Sequence, residues 1–90
     1  MKSYASPDFW RLFHALPAGI RKQARDAYRL WRDDPRYPGL HFKRIQAADP
    51  PLYSVRIGLR WRALAVRQGD DLIWFWIGSH ADYDKLLSEQ

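Results

Sequence analysis

Ninety residues carry fifteen Lys and Arg against ten acids, a net charge of +5, with fourteen aromatic side chains and no cysteine. A chain this short makes one small domain and hides only about 60–65% of its unfolded surface, so the large aromatic side chains must supply much of its core. The missing cysteine excludes disulfides and thiolate metal sites, and the longest apolar run, the 6 residues Leu72–Ile77, is far short of the roughly 20 that a membrane helix needs.

Met1-Lys2-Ser3-Tyr4 leads straight into polar sequence and reads as no secretory leader, so the cytoplasm is the expected compartment. Lys2–Ala5 can add an edge strand. Ser6-Pro7-Asp8 starts a helix: Ser6 caps, Pro7 fits the first helical position and Asp8 suits the positive end of the dipole. The helix covers Phe9 to Ala15, with Phe9, Leu12, Phe13 and Leu16 on one face. A second helix runs from about Pro17 to Asp33. Ile20, Ala24, Ala27, Tyr28 and Trp31 form its apolar stripe, and Arg21, Lys22, Arg25, Arg29 and Arg32 cover the other side. Those cations can grip RNA, but a solvated helix surface is the plainer account. Pro35 stops the helix.

After a Pro- and Gly-rich loop over 35–41 the period changes to two. Strands are expected near His41–Gln46, Leu52–Ile57, Arg60–Arg67 and Leu72–Ile77, with turns at Asp49-Pro50-Pro51, Gly58-Leu59 and Gly69-Asp70-Asp71. Such short connections imply an antiparallel meander. A last helical turn is read over Asp82–Ser88. The expected fold is α+β: a helical hairpin packed on a mainly antiparallel four-stranded sheet, with the extra edge strand and the C-terminal helix added.

Strand alternation locates the candidate chemistry. Arg56 and Arg62 can lie side by side on neighbouring strands, where opposed residues stand about 5 Å apart. Facing like charges cost up to about 1 kcal/mol, and an anion between them reverses the sign. Solvent or a nearby aspartate would satisfy them equally well. His80 follows Gly78 at the end of the last strand, where an imidazole can give or take a proton at neutral pH. RNA cleavage through side chains needs such a group, with cations to hold the charge that builds on phosphorus. Loop histidines are commonly mere caps. Tyr83 can stack on a base or pack the C-terminal turn; Asp82 and Asp84 read as caps or ion-pair partners. His14 and His41 are weaker candidates, and three unclustered histidines form no metal site. Trp74 and Trp76 alternate with Ile73, Phe75 and Ile77, so one set is expected in the core and the other on the second sheet face.

Taken in order, these pieces resemble the RelE/ParE toxin superfamily over nearly the whole chain. They are the opening Ser6-Pro7-Asp8-Phe9-Trp10 through Leu16-Pro17 and the helix end at Asp34-Pro35. The strand Leu40-His41-Phe42-Lys43-Arg44-Ile45 follows, then the pair Leu52-Tyr53-Ser54-Val55-Arg56-Ile57-Gly58 and Trp61-Arg62-Ala63-Leu64. The ending Ile77-Gly78-Ser79-His80-Ala81-Asp82-Tyr83 completes them. The resemblance implies a type II toxin with a cognate antitoxin as partner. RelE-like members cut messenger RNA at the ribosome by attack of the 2′-hydroxyl on the adjacent phosphate, without metal or other cofactor.

Carried over, Arg62 matches the arginine that holds the phosphate, and Arg56 falls where a basic or histidine side chain is common. His80 matches the acid/base histidine of the YafQ- and HigB-like branches, whose Gly-Thr-His ending is similar, and Tyr83 lies near the aromatic that completes the site. Lys43, Arg44 and Arg60 are the further nucleic-acid contacts. Ser54 departs from the lysine usual in the ribosome-dependent branch, and Asp84 from the aromatic of the YafQ-like ending. ParE-like members share the fold yet poison DNA gyrase by protein contact, which is the alternative function. A third option is a free-standing basic RNA-binding domain.

Overall fold

The computed structural model describes residues 2–45 and 49–88. The elements run in the order β1 Ser3–Ala5, α1 Pro7–His14, α2 Ala18–Asp33, β2 Lys43–Ile45, β3 Leu52–Ile57, β4 Trp61–Gln68, β5 Asp71–Ser79 and α3 His80–Ser88, with a 3-10 turn at Pro38–Leu40. The expected α+β class and both helices of the hairpin form.

The helices start where local chemistry dictates. Ser6 Oγ accepts the Phe9 N–H at 3.1 Å, Pro7 occupies the first turn and Asp8 sits at the positive end of α1, satisfying a donor that the helix itself leaves free. Pro17 lies just before α2 instead of inside it. Both helices turn their apolar stripes to one face of the sheet. Phe13, Leu16, Ala24 and Trp31 meet Val55, Ile57, Ala63, Ala65, Leu72, Trp74 and Ile77 in the main core.

The five-stranded sheet has the order β1-β5-β4-β3-β2. β1 joins in parallel to β5, and every other pair is antiparallel. Three expectations need correction. The strand predicted over His41–Gln46 covers only Lys43–Ile45 among the described residues and forms one edge of the sheet; Gln46 is outside the described residues. The cause is the 3-10 turn, whose Leu40 is anchored in the core while His41 leaves it in a left-handed conformation with φ 46°. Extended backbone can therefore begin only two residues later.

The second correction concerns the tryptophans. The ladder pairs Leu64 with Trp76 but Ala65 with Trp74, so Phe75 is the extra residue of a β-bulge. A bulge advances the side-chain phase by one. Trp74 therefore belongs to the helix-side core with Leu72 and Ile77, while Trp76 faces the other side with Leu64. The third is the C-terminal turn, a full helix that begins at His80.

Substituting Ser6 by Ala should cost about 1 kcal/mol by removing the α1 cap. Thermal unfolding followed by circular dichroism should then show a midpoint roughly 4–8 °C lower for a domain of this size.

Candidate active site

The face of the sheet away from α1 and α2 follows from β4. Ala63 and Ala65 lie in the helix-side core, so Arg62 and Leu64 point the other way. Directly opposed residues share a face. Arg56 stands opposite Arg62, and Arg62 opposite Gly78, which puts two guanidinium side chains and the base of the His80 segment in one transverse row.

Arg56 is held at two points: its Nε donates to the Gly58 carbonyl at 3.0 Å, and its Nη1 meets His41 Nε2 at 3.3 Å. Gly58 turns the β3–β4 connection with φ 59°, a conformation that glycine takes without a Cβ penalty. Arg62 is half-buried and donates from Nη1 to the Trp61 carbonyl at 2.8 Å. Its pKa is lowered, first by burial and then by the neighbouring charge of Arg56, while Tyr83 and Asp84 act in the opposite sense. The same charges that raise the cost of the arginine pair suit an incoming anion.

His80 enters this group by a strand-to-helix junction. Ser79 Oγ accepts the Asp82 N–H at 3.1 Å and caps α3. The His80 N–H donates to the Arg60 carbonyl at 2.6 Å, tying the junction to the β3–β4 turn. The imidazole stacks on Tyr83 with 6.1 Å between ring centres, and its Nδ1 lies 3.4 Å from Asp84 Oδ2. Tyr83 is buried outside the main core. Gly78 is buried and must be glycine for a physical reason: a Cβ there would stand 2.6 Å from Trp76 Cζ2, so the indole occupies the space over the glycine.

The other expected contacts divide. Lys43 pairs with Ser54, two residues from Arg56, and so shares the arginine face. Arg44 pairs with Tyr53 and is set on the helix side, away from this group; the structure does not bring it to the site. Arg60 lies exposed in the β3–β4 turn, where its backbone carbonyl holds His80. His14 stacks on Trp10 of α1. A groove of about 400 Å³ on the helix side, lined by Tyr4, Trp10, Tyr28 and Trp31 among others, contains none of Arg56, Arg62, His80 or Tyr83. Among the described residues no group of three or more His, Cys, Asp or Glu could hold a metal ion.

Residues 18–85 match the model of the ParE-like toxin domain. The chain belongs to the ParE-like toxin family. Solved structures agree on the RelE-type fold of this toxin. RelE of the RelB–RelE complex from Methanococcus jannaschii shares 17% identity over 92% of this chain and 96% of its own, with a TM-score of 0.72. The archaeal RelE–RelB complex from Pyrococcus horikoshii OT3 gives 10% identity, 88% and 93% coverage and a TM-score of 0.68. A copper-bound mutant toxin from Helicobacter pylori gives 16%, 91% and 97%, and 0.62. No curated protein sequence matches.

Two residues of the toxin's arginine face were underrated by sequence reasoning. Asp84 reads from the sequence as a cap or ion-pair partner, although its spacing of four from His80 puts both on one face of a helix. The sequence pattern sets His41 in a strand, whereas its contact with Arg56 depends on the left-handed turn before that strand.

Replacing Gly78 with Ala should lower stability by about 1–3 kcal/mol, because the new methyl displaces the Trp76 ring. Denaturant unfolding should show the loss, together with a shift in tryptophan emission as the indole lifts off the sheet.

Proposed function

We propose that this toxin is an mRNA endoribonuclease that acts at the ribosome in the cytoplasm and is neutralised by a cognate antitoxin. The observation that carries the reading is the row of Arg56 and Arg62 on adjacent strands, with His80 rising beside it on α3. Two arginines opposed on adjacent strands favour a phosphodiester between them. Attack by the ribose 2′-hydroxyl places extra negative charge on phosphorus, which the arginines would stabilise. His80, stacked on Tyr83 and paired with Asp84, would move a proton. Lys43, on the same face, and Arg60, at its rim, would hold flanking phosphates. The antitoxin partner is supported by the relatives, which were solved as RelB–RelE complexes.

A second reading has its own support: the family model is ParE-like, and members of that type poison DNA gyrase by protein contact. In that case the arginine face would be a docking surface, and growth arrest would not depend on His80.

Exchange of His80 for Gln, or of Arg62 for Ala, should reduce RNA cleavage by about 10²–10⁴-fold and relieve growth arrest, with folding and antitoxin capture retained. Pulse labelling after induction should show protein synthesis stopping before DNA synthesis. Full toxicity of the His80→Gln protein, with DNA synthesis failing first, would reject the nuclease in favour of the gyrase reading.

A further inference from the structure

The arginine row extends one position further than the sheet does. The β2–β3 register sets Lys43 opposite Ser54 and Arg44 opposite Tyr53; carried two residues outward, it sets His41 opposite Arg56. The side chain follows the backbone, since His41 Nε2 lies 3.3 Å from Arg56 Nη1. The row therefore reads His41, Arg56, Arg62, Gly78, with His80 two residues beyond Gly78. One histidine stands at each end of an arginine pair. The backbones at the two ends of the row are three strand spacings apart, about 14 Å, and the His41 side chain reaches inward as far as the Arg56 guanidinium.

His41 is held there by more than its own side chain. Leu40 is anchored in the core, the His41 N–H donates to the Pro38 carbonyl at 3.2 Å, and φ is 46°. A side-chain-bearing residue in the left-handed region is uncommon, and such outliers concentrate at functional sites. The two imidazoles also differ in what they face. A guanidinium only donates, so the ring nitrogen of His41 that meets Arg56 takes the acceptor role. His80 has the Asp84 carboxylate 3.4 Å from Nδ1, an acceptor for an N–H at that nitrogen.

We propose that His41 is a catalytic residue, the general base of an acid–base pair completed by His80 as general acid; this rests on the nuclease reading above. As the phosphate takes the Arg56 N–H, Nε2 of His41 is released to the 2′-hydroxyl. The hydroxyl proton passes to His41, the 2′-oxygen bonds to phosphorus, the bond from phosphorus to the 5′-oxygen breaks, and His80 gives that oxygen a proton. The products are a 2′,3′-cyclic phosphate and a 5′-hydroxyl. Charge and protons balance, and solvent resets the two rings.

The test separates the two roles by the leaving group. Programmed ribosomes carry an mRNA whose cleaved linkage has first been mapped with the wild-type toxin. A second mRNA has sulfur in place of the bridging 5′-oxygen at that linkage. A thiolate departs without being protonated, so it dispenses with the acid but not with the base. His41→Asn is the variant of choice, because the side chain is exposed and Asn tolerates the left-handed turn. The expected result is a loss of about 100-fold or more for His41→Asn on both RNAs, whereas His80→Gln is slow on the oxygen RNA and recovers on the sulfur RNA. Wild-type rates from His41→Asn beside a slow His80→Gln, or recovery of His41→Asn on the sulfur RNA, overturn the proposal and leave the nuclease reading standing. A wild-type toxin that cuts neither RNA removes both.

Discussion

The bulge at Phe75 decides which side of the sheet Gly78 occupies, and with it where the His80 segment begins. β5 must send Leu72 and Trp74 into the core under the helices and then, a few residues on, present Gly78 beside Arg62. Strict alternation from Leu72 and Trp74 would place Gly78 with them, in the core. One inserted residue resolves the conflict: Ile77 takes the core position and Gly78 falls on the open face. A bulge leaves one residue out of the ladder and sharpens the local twist. Here that cost sits in the strand that delivers His80, in keeping with the concentration of bulges beside active sites.

The open face is not arranged for stability. Arg56 and Arg62 stand in register, and the burial that partly covers Arg62 disfavours its charge. A hydrophobic pair at those positions would relieve both effects. A ninety-residue chain with a thin margin has little reason to hold two cations together unless an anion visits them. The supports around them point the same way. Gly58, the Trp61 carbonyl and His41 fix the forks, which limits the ordering that binding would require.

Much of this architecture was legible in the sequence because it rests on local signals. Ser6-Pro7-Asp8 marks a helix start in any context, the stripe from Ile20 to Trp31 has helical period, and the Gly58 and Gly69 turns separate alternating runs. The arginine pair was also legible, since a short hairpin fixes its own register. Three things were not. Leu72–Ile77 is apolar throughout, so its pattern carries no phase from which a bulge could be read. The partner of the N-terminal edge strand is set by distance along the chain, since β1 reaches β5 in parallel from the far end, a contact that no local signal announces. The face of Arg44 and the place of His41 both follow from where β2 begins, and that is set by Leu40 finding the core, a tertiary event.

The C-terminal helix joins the two tasks that the chain must perform. Tyr83 closes a second, smaller buried region against the sheet, and it does so within one helical turn of His80 and beside Asp84. Ser79 caps the same turn, and the Arg60 carbonyl holds its first residue. The buried Tyr83 and the His80–Asp84 pair are thus fixed by one element only nine residues long. An isolated helix of that length is marginal in water, so its order comes from the cap, the carbonyl of Arg60 and Tyr83. The imidazole is therefore only as well placed as this helix is docked, and the docking surface is the face that carries the arginines. Site and stability meet at Tyr83, which is why the aromatic at that position has a structural role whether or not it also touches RNA.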